Sequence, residues 1–164
     1  MNYAPFEAIR LTFTTGGSTL AKNGQRINQR HGYVVGGFSE TVLPVSCSID
    51  EFLNTWELKR DECKEYSIDS RNLVYQTECV GTWIHDGKIY FDVVRIYDDK
   101  EIAINTARKN NEMAIYDLKF KKSIDVCDEQ SDDDDACYDR MISFAEEREQ
   151  EIQRQLMDRE LNEE

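Results

Sequence analysis

Residues 80–118 read V-G-T-W-I-H-D-G-K-I-Y-F-D-V-V-R-I-Y-D-D-K-E-I-A-I-N-T-A-R-K-N-N-E-M-A-I-Y-D-L, and the fold is decided in this stretch. Its first half is rich in valine, isoleucine and aromatic residues on both sides of Asp86-Gly87. That dipeptide supplies the positive backbone angles of a tight hairpin turn, so a strand ending at Ile84 should pair with Lys88–Tyr97. Asp98 and Glu101 then give the capping pattern of a helix start, with Ile102, Ala103, Thr106 and Ala107 available for its buried face. Asn110-Asn111 tolerates a left-handed cap, and Met113–Leu118 is apolar enough for a returning inner strand.

Upstream, Leu73–Ile84 has strand composition throughout, behind a polar connection at Ser67–Asn72. Ser48-Ile49-Asp50-Glu51 fits a capping box and opens a helix that runs to about Tyr66. Ile49, Phe52, Leu53, Trp56 and Cys63 form its apolar stripe, while Glu51, Asn54, Lys59, Asp61 and Glu62 face water. Pro44 argues against a central strand at 41–46. Between Gly16 and Gly37 lie six of the eight glycines, which predicts a long loop before Tyr33-Val34-Val35, and Gly36-Gly37 suggests a bulge or a close backbone approach. Glu7–Thr15 alternates, with Ile9, Leu11 and Phe13 on one side, and reads as a half-buried strand.

Downstream, Ile124 and Val126 suggest a short edge strand after Lys119-Phe120-Lys121-Lys122. From Cys127 the composition changes. The formal charge of −13 is concentrated there: residues 1–127 hold 18 acidic and 16 basic side chains, residues 128–164 hold 15 and 4. Four adjacent aspartates, Asp132, Asp133, Asp134 and Asp135, repel one another in any compact arrangement, so 127–136 is expected to be a solvated hinge. Beyond it Tyr138, Met141, Ile142, Ala145, Ile152, Leu156 and Leu161 recur at helical spacings. Glu149 interrupts the stripe, which argues against a long coiled coil and leaves docking on the domain or pairing with a second copy.

The expectation is an α+β domain over 1–126, an antiparallel sheet with two packed helices, followed by the acidic hinge and an amphipathic acidic helix over 137–164. An odd number of cysteines without short paired spacing, no secretory leader and no apolar run of membrane-spanning length point to a reducing cytoplasm and no membrane.

Sites of chemistry are sparse. Thr14–Thr19 lacks the lysine and spacing of a phosphate loop. His31 and His85 have no neighbouring ligand at metal spacing, and neither the ten-residue separation of Cys127 and Cys137 nor the contiguous aspartates match a metal motif. Asp92, Asp98, Asp99 and Asp117 could do acid–base work; capping accounts for Asp98, and strand alternation assigns Asp92 to solvent. No cofactor, metal or catalytic group is assigned. The functional weight falls on the tail, which pairs charge with an apolar stripe and would be repelled by nucleic acid and drawn to basic protein surfaces. Asp132–Asp135 with Glu146, Glu147, Glu149 and Glu151 are the candidate partner-binding residues.

The central stretch, extended to Ile124, resembles a small module found in proteins of bacteriophages and other mobile elements. The likeness is carried by Gly81, Trp83, Gly87, Lys88, Tyr90, Asp92, Ala103, Ala107, Asn110-Asn111, Ala114–Asp117 and Lys122-Ser123-Ile124, about 45 of 164 residues. The resemblance implies a setting, the bacterial cytoplasm, and no catalytic residue. Small acidic proteins of that setting include anti-restriction and anti-CRISPR inhibitors, which occupy the basic groove that a host nuclease uses for nucleic acid. The expected function is therefore non-enzymatic binding of such a host surface. The alternatives are a small nucleotide- or metal-dependent enzyme using the glycine-rich loop and the central aspartates, and a scaffold that dimerises through its C-terminal helix.

Overall fold

The computed structural model describes residues 4–27, 31–64, 78–126 and 134–162. The fold is α+β, with antiparallel strand pairings throughout. In chain order the elements are α1 (Ala4–Thr15), β1 (Gly17–Ala21), β2 (Tyr33–Val35), β3 (Glu40–Pro44), α2 (Ile49–Glu62), β4 (Cys79–His85), β5 (Lys88–Tyr97), α3 (Lys100–Lys109), β6 (Ala114–Asp117), β7 (Lys122–Asp125) and α4 (Asp134–Asn162).

The β4–β5 hairpin turns at Asp86-Gly87, both with positive φ, as the sequence predicts. Long β5 is the spine. Along one edge it pairs with β4, which in turn pairs with β1. Its other edge is shared: Lys88–Asp92 pairs with β3, Arg95–Tyr97 with β2, and the chain crosses between them at 36–39. β6 and β7 extend the sheet from β2. β3 therefore has β5 as its paired strand and ends on Pro44, a position that needs no ladder donor.

One element is corrected outright. The stretch read as a strand at Glu7–Thr15 is helix α1, beginning at Ala4. Its packing signal is Ala4, Ala8 and Thr12, small residues four apart that are all buried, whereas Phe13 is half exposed. The threonines that favour a strand are accommodated by hydroxyls turned back onto the helix: Thr12, Thr14 and Thr15 donate to the carbonyls of Ala8, Arg10 and Leu11. Thr12 also meets Thr82 of β4, Oγ1 to Oγ1 at 2.6 Å. Gly16, with φ 89°, then reverses the chain into β1, a strand inside the segment expected to be loop.

α2 has the expected capping box, Glu51 N–H donating to Ser48 Oγ and Ser48 N–H to Glu51 Oε1. Phe52, Trp56 and Cys63 enter the core with Leu20, Val80, Ile89, Phe91 and Val93, but Ile49 is exposed. Lys59, expected in water, is buried because its ammonium donates to Ser39 Oγ at 2.9 Å and to Glu62 at 3.2 Å. α3 is capped by Asp99, not Asp98, with Ile102 N–H donating to Asp99 Oδ1 at 2.9 Å; Ala103, Ile104 and Ala107 form its buried face, and Ile102 is more exposed. α2 ends at Glu62, short of the expected Tyr66, because Cys63 takes an extended conformation and caps it. The strand expected at 73–77 and the acidic hinge through residue 133, with Cys127, Asp132 and Asp133, lie outside the described residues.

An acidic cleft under the C-terminal helix

Side chains on β5 alternate. Ile89, Phe91 and Val93 face α1 and α2, so Tyr90 and Asp92 lie on the opposite face. Sequence reasoning takes that face to be solvated, and for Asp92 the structure overturns it: Asp92 is fully buried. α4 and the 36–39 crossing cover this face, so alternation does not divide core from water here.

The crossing is built around Asp92. Gly37 N–H donates to Asp92 Oδ2 at 2.5 Å and Ser39 N–H to Oδ1 at 3.0 Å. A Cβ on Gly36 would lie 2.6 Å from Asp92 Oδ2; Gly37 has φ 85°, and a Cβ there would lie 2.7 Å from Glu112 Oε1. The glycine pair is thus the close backbone approach its sequence suggests. Asn110 Nδ2 donates to the Gly36 carbonyl at 2.9 Å, tying the crossing to the end of α3.

Two further carboxylates converge. Glu40 stands opposite Asp92 in the β3–β5 register. Glu112 is delivered by the cap of α3: Asn111 takes a left-handed φ of 58°, its N–H donates to the Arg108 carbonyl, and Glu112 N–H donates to the Ala107 carbonyl, a Schellman arrangement. One oxygen each from Glu40, Asp92 and Glu112 lie within 4.8 Å of one another. Burial pushes the Asp92 carboxyl up to about 6, against the pull of its two N–H donors, and pushes Glu112 up to about 7, against the pull of Arg148.

Arg148 of α4 supplies the positive charge. Its Nε donates to Glu40 Oε1 at 3.0 Å, its Nη2 to the other oxygen, and its Nη1 lies 3.9 Å from Glu112 Oε1. Three carboxylates in this arrangement have the chemistry to hold a hard cation, and the guanidinium takes that part here. The cleft, about 420 Å³, is lined by Gly37, Glu40, Asn110, Asn111, Glu112, Glu147, Arg148 and Glu151.

From Arg148 onward α4 lies across the sheet on a helical stripe. Ile152 is buried against Val42 and Tyr90, with Leu156 and Trp83 beside them; the Trp83 and Tyr90 rings stack at 5.3 Å. Arg159 makes two hydrogen bonds to Glu51 at the start of α2, 2.8 and 2.7 Å, holding that carboxyl below its ordinary range. The sequence stripe is therefore extended by arginines, Arg148 and Arg159, and Leu161 is exposed.

Of the candidate residues, Asp134 and Asp135 open α4, and Glu146, Glu147, Glu149 and Glu151 are exposed. Glu147 and Glu151 stand at the cleft, Glu149 accepts from Lys88 Nζ at 3.0 Å, and Glu151 pairs with Arg154. Glu40, Glu112 and Arg148 were not singled out from sequence; Gly36-Gly37 was the one signal beside them. The other candidates do not converge with Asp92. Asp117 and His31 line a second cavity of about 410 Å³ with Asp98, Lys119 and Phe120, where Asp117 accepts from Lys119 N–H and Phe120 N–H of the β6–β7 turn. His85 closes the β4–β5 ladder opposite Lys88.

Comparison with protein-family models, curated proteins and solved structures returns no match for this chain. Among the described residues no helix is long and apolar enough to cross a membrane.

Proposed function

We propose that this protein is a non-enzymatic binding protein, and that the acidic run and the outer face of α4 engage a basic surface of a partner protein. The observation that carries this reading is the sorting of charge on α4. Arg148 and Arg159 face the domain and pair with Glu40 and Glu51, while Glu146, Glu147, Glu151, Asp158 and Glu160 stay exposed. Docking through cationic and apolar side chains makes the outward face more anionic than the helix as a whole. The helix that carries it begins within the acidic run, at Asp134.

A surface of this kind suits a partner that otherwise holds nucleic acid. The mobile-element resemblance supplies the setting, and the partner class proposed is a host nucleic-acid-handling enzyme in the bacterial cytoplasm, such as a defence nuclease. The test uses the full chain immobilised beside a variant with Glu146→Gln, Glu147→Gln, Glu151→Gln and Asp132–Asp135→Asn. Each is offered the nucleic-acid-binding fraction of a bacterial lysate, followed by elution with duplex DNA. The expected result is a protein held by the native chain, released by DNA and lost from the variant. Equal retention by both chains, or retention that DNA does not compete, would refute the reading.

A further inference from the structure

The face beneath α4 has a definite pattern. An apolar centre of Val42, Tyr90 and Trp83 lies between acidic ends, Glu40 with Glu112 at one and Glu51 at the other. The occupant presents Arg148, Ile152, Leu156 and Arg159, an arginine for each acidic end and apolar residues between. The arginines are eleven positions apart, about 16 Å along a helix axis.

α4 fits this groove by shape and stripe but not by overall charge. It brings Glu147 and Glu151 to the cleft already formed by Glu40 and Glu112. Lys88, paired with Glu149, is the one basic side chain of the sheet that the docked helix engages among the described residues. A helix with the same stripe and neutral or basic flanks would keep both arginine contacts and lose the repulsion.

We infer that the acid-ended groove between Glu40 and Glu51 is a docking site for a basic amphipathic helix of a partner protein, and that α4 is an intramolecular occupant which such a helix displaces. Recognition is of the helix-in-groove kind, with arginine anchors at either end and aliphatic residues over the Trp83–Tyr90 stack. The inference rests on the reading of a basic partner and deepens it. Charge attraction to the outer face of α4 brings the partner near, and release of the helix then opens a second, shape-specific contact.

The probe is a labelled synthetic peptide of residues 146–162 that keeps Arg148, Ile152, Leu156 and Arg159 and replaces the acidic residues by glutamine and lysine. A scrambled peptide of the same composition is the control, necessary because a chain of charge −13 attracts any cation. Titrations at physiological ionic strength use the native full chain and two variants with a weakened latch, Arg148→Ala and Ile152→Ala; Arg148→Ala gives an answer if Ile152→Ala fails to fold. The expected result is tighter binding of the patterned peptide to the weakened-latch chains, by about tenfold or more, because the competing helix is no longer seated. Amide and indole resonances of Val42 and Trp83 should move while that of Trp56, on the other face, does not. Equal binding of the scrambled peptide, or an affinity indifferent to the latch, overturns the inference. Replacing Glu146, Asp158 and Glu160, exposed residues of α4 outside the cleft lining, by their amides should not weaken groove binding of the peptide, so failure here and failure of the outer-face reading are separate results.

Discussion

Replacing Glu112 by glutamine tests the cleft electrostatics most directly. The carboxyl is 14 % exposed and faces Arg148 at 3.9 Å, with Asp92 and Glu40 as like-charged neighbours. Its titration point rises from 4.5 to about 7 in the folded state. The folded protein therefore binds more protons than the unfolded chain between those values, and stability falls as pH rises through that window. The favourable contribution is fully present below pH 4.5 and lost above pH 7. A shift of this size corresponds to about 3 kcal/mol at 1.36 kcal/mol per pKa unit. Glutamine keeps the volume and stays neutral. Glu112→Gln should therefore match the native protein near pH 4.5 and exceed it at pH 8 by about 2–3 kcal/mol, or about 5–10 °C in melting temperature for a chain of this size. The assay is urea unfolding at a series of pH values, with Asp92 retaining a smaller fall between about 4 and 6 in both proteins. A variant no more stable than the native chain at pH 8, or stabilised equally at both pH values, would refute the reasoning.

Gly37→Ala should cost about 2–3 kcal/mol in chemical denaturation, since left-handed φ adds to crowding against Glu112 and Asn110. Gly87→Ala, also at positive φ but with open space around it, should cost only about 1 kcal/mol, and equal losses would refute the crowding argument. Asp99→Ala should lower stability by about 1 kcal/mol through loss of the α3 cap, while Asp98→Ala stays within about 0.5 kcal/mol; the reverse order in thermal unfolding would return the cap to Asp98. Millimolar magnesium or calcium should leave the melting temperature unchanged, because Arg148 already balances Glu40 and Glu112; a rise of several degrees would show the carboxylates taking a cation in its place.

Local chemistry was legible where one short segment determines it. Asp86-Gly87 fixes its turn, Ser48 and Glu51 their cap, and Asn110-Asn111 the end of α3, because each is satisfied by atoms a few residues away. α1 misleads because Ile9, Leu11 and Phe13 alternate while the contacts that bury it use Ala4, Ala8 and Thr12, residues too small to register as an apolar stripe. Asp92 misleads for a different reason. Period-two alternation separates two faces of a strand without saying whether the second face is covered. The cover comes from far along the chain: Ile152 stands in the stripe read from sequence, but nothing in the sequence says which face that stripe covers, and Arg148 is not part of it. No spacing rule relates Glu40 to Arg148, so the cleft becomes visible only when the strands and α4 are brought together.

The shared edge of β5 also orders events in time. β1, β2 and β3 all precede the hairpin that carries the sheet, and β1 pairs with β4 some sixty residues later, Leu20 opposite Val80. During synthesis those strands emerge before the partner they need, while α1 and α2 can form from local contacts. Closing such long loops slows folding, so the nascent chain should remain open to chaperones and proteases until Tyr97 has left the ribosome, and then collapse onto the hairpin in one late step.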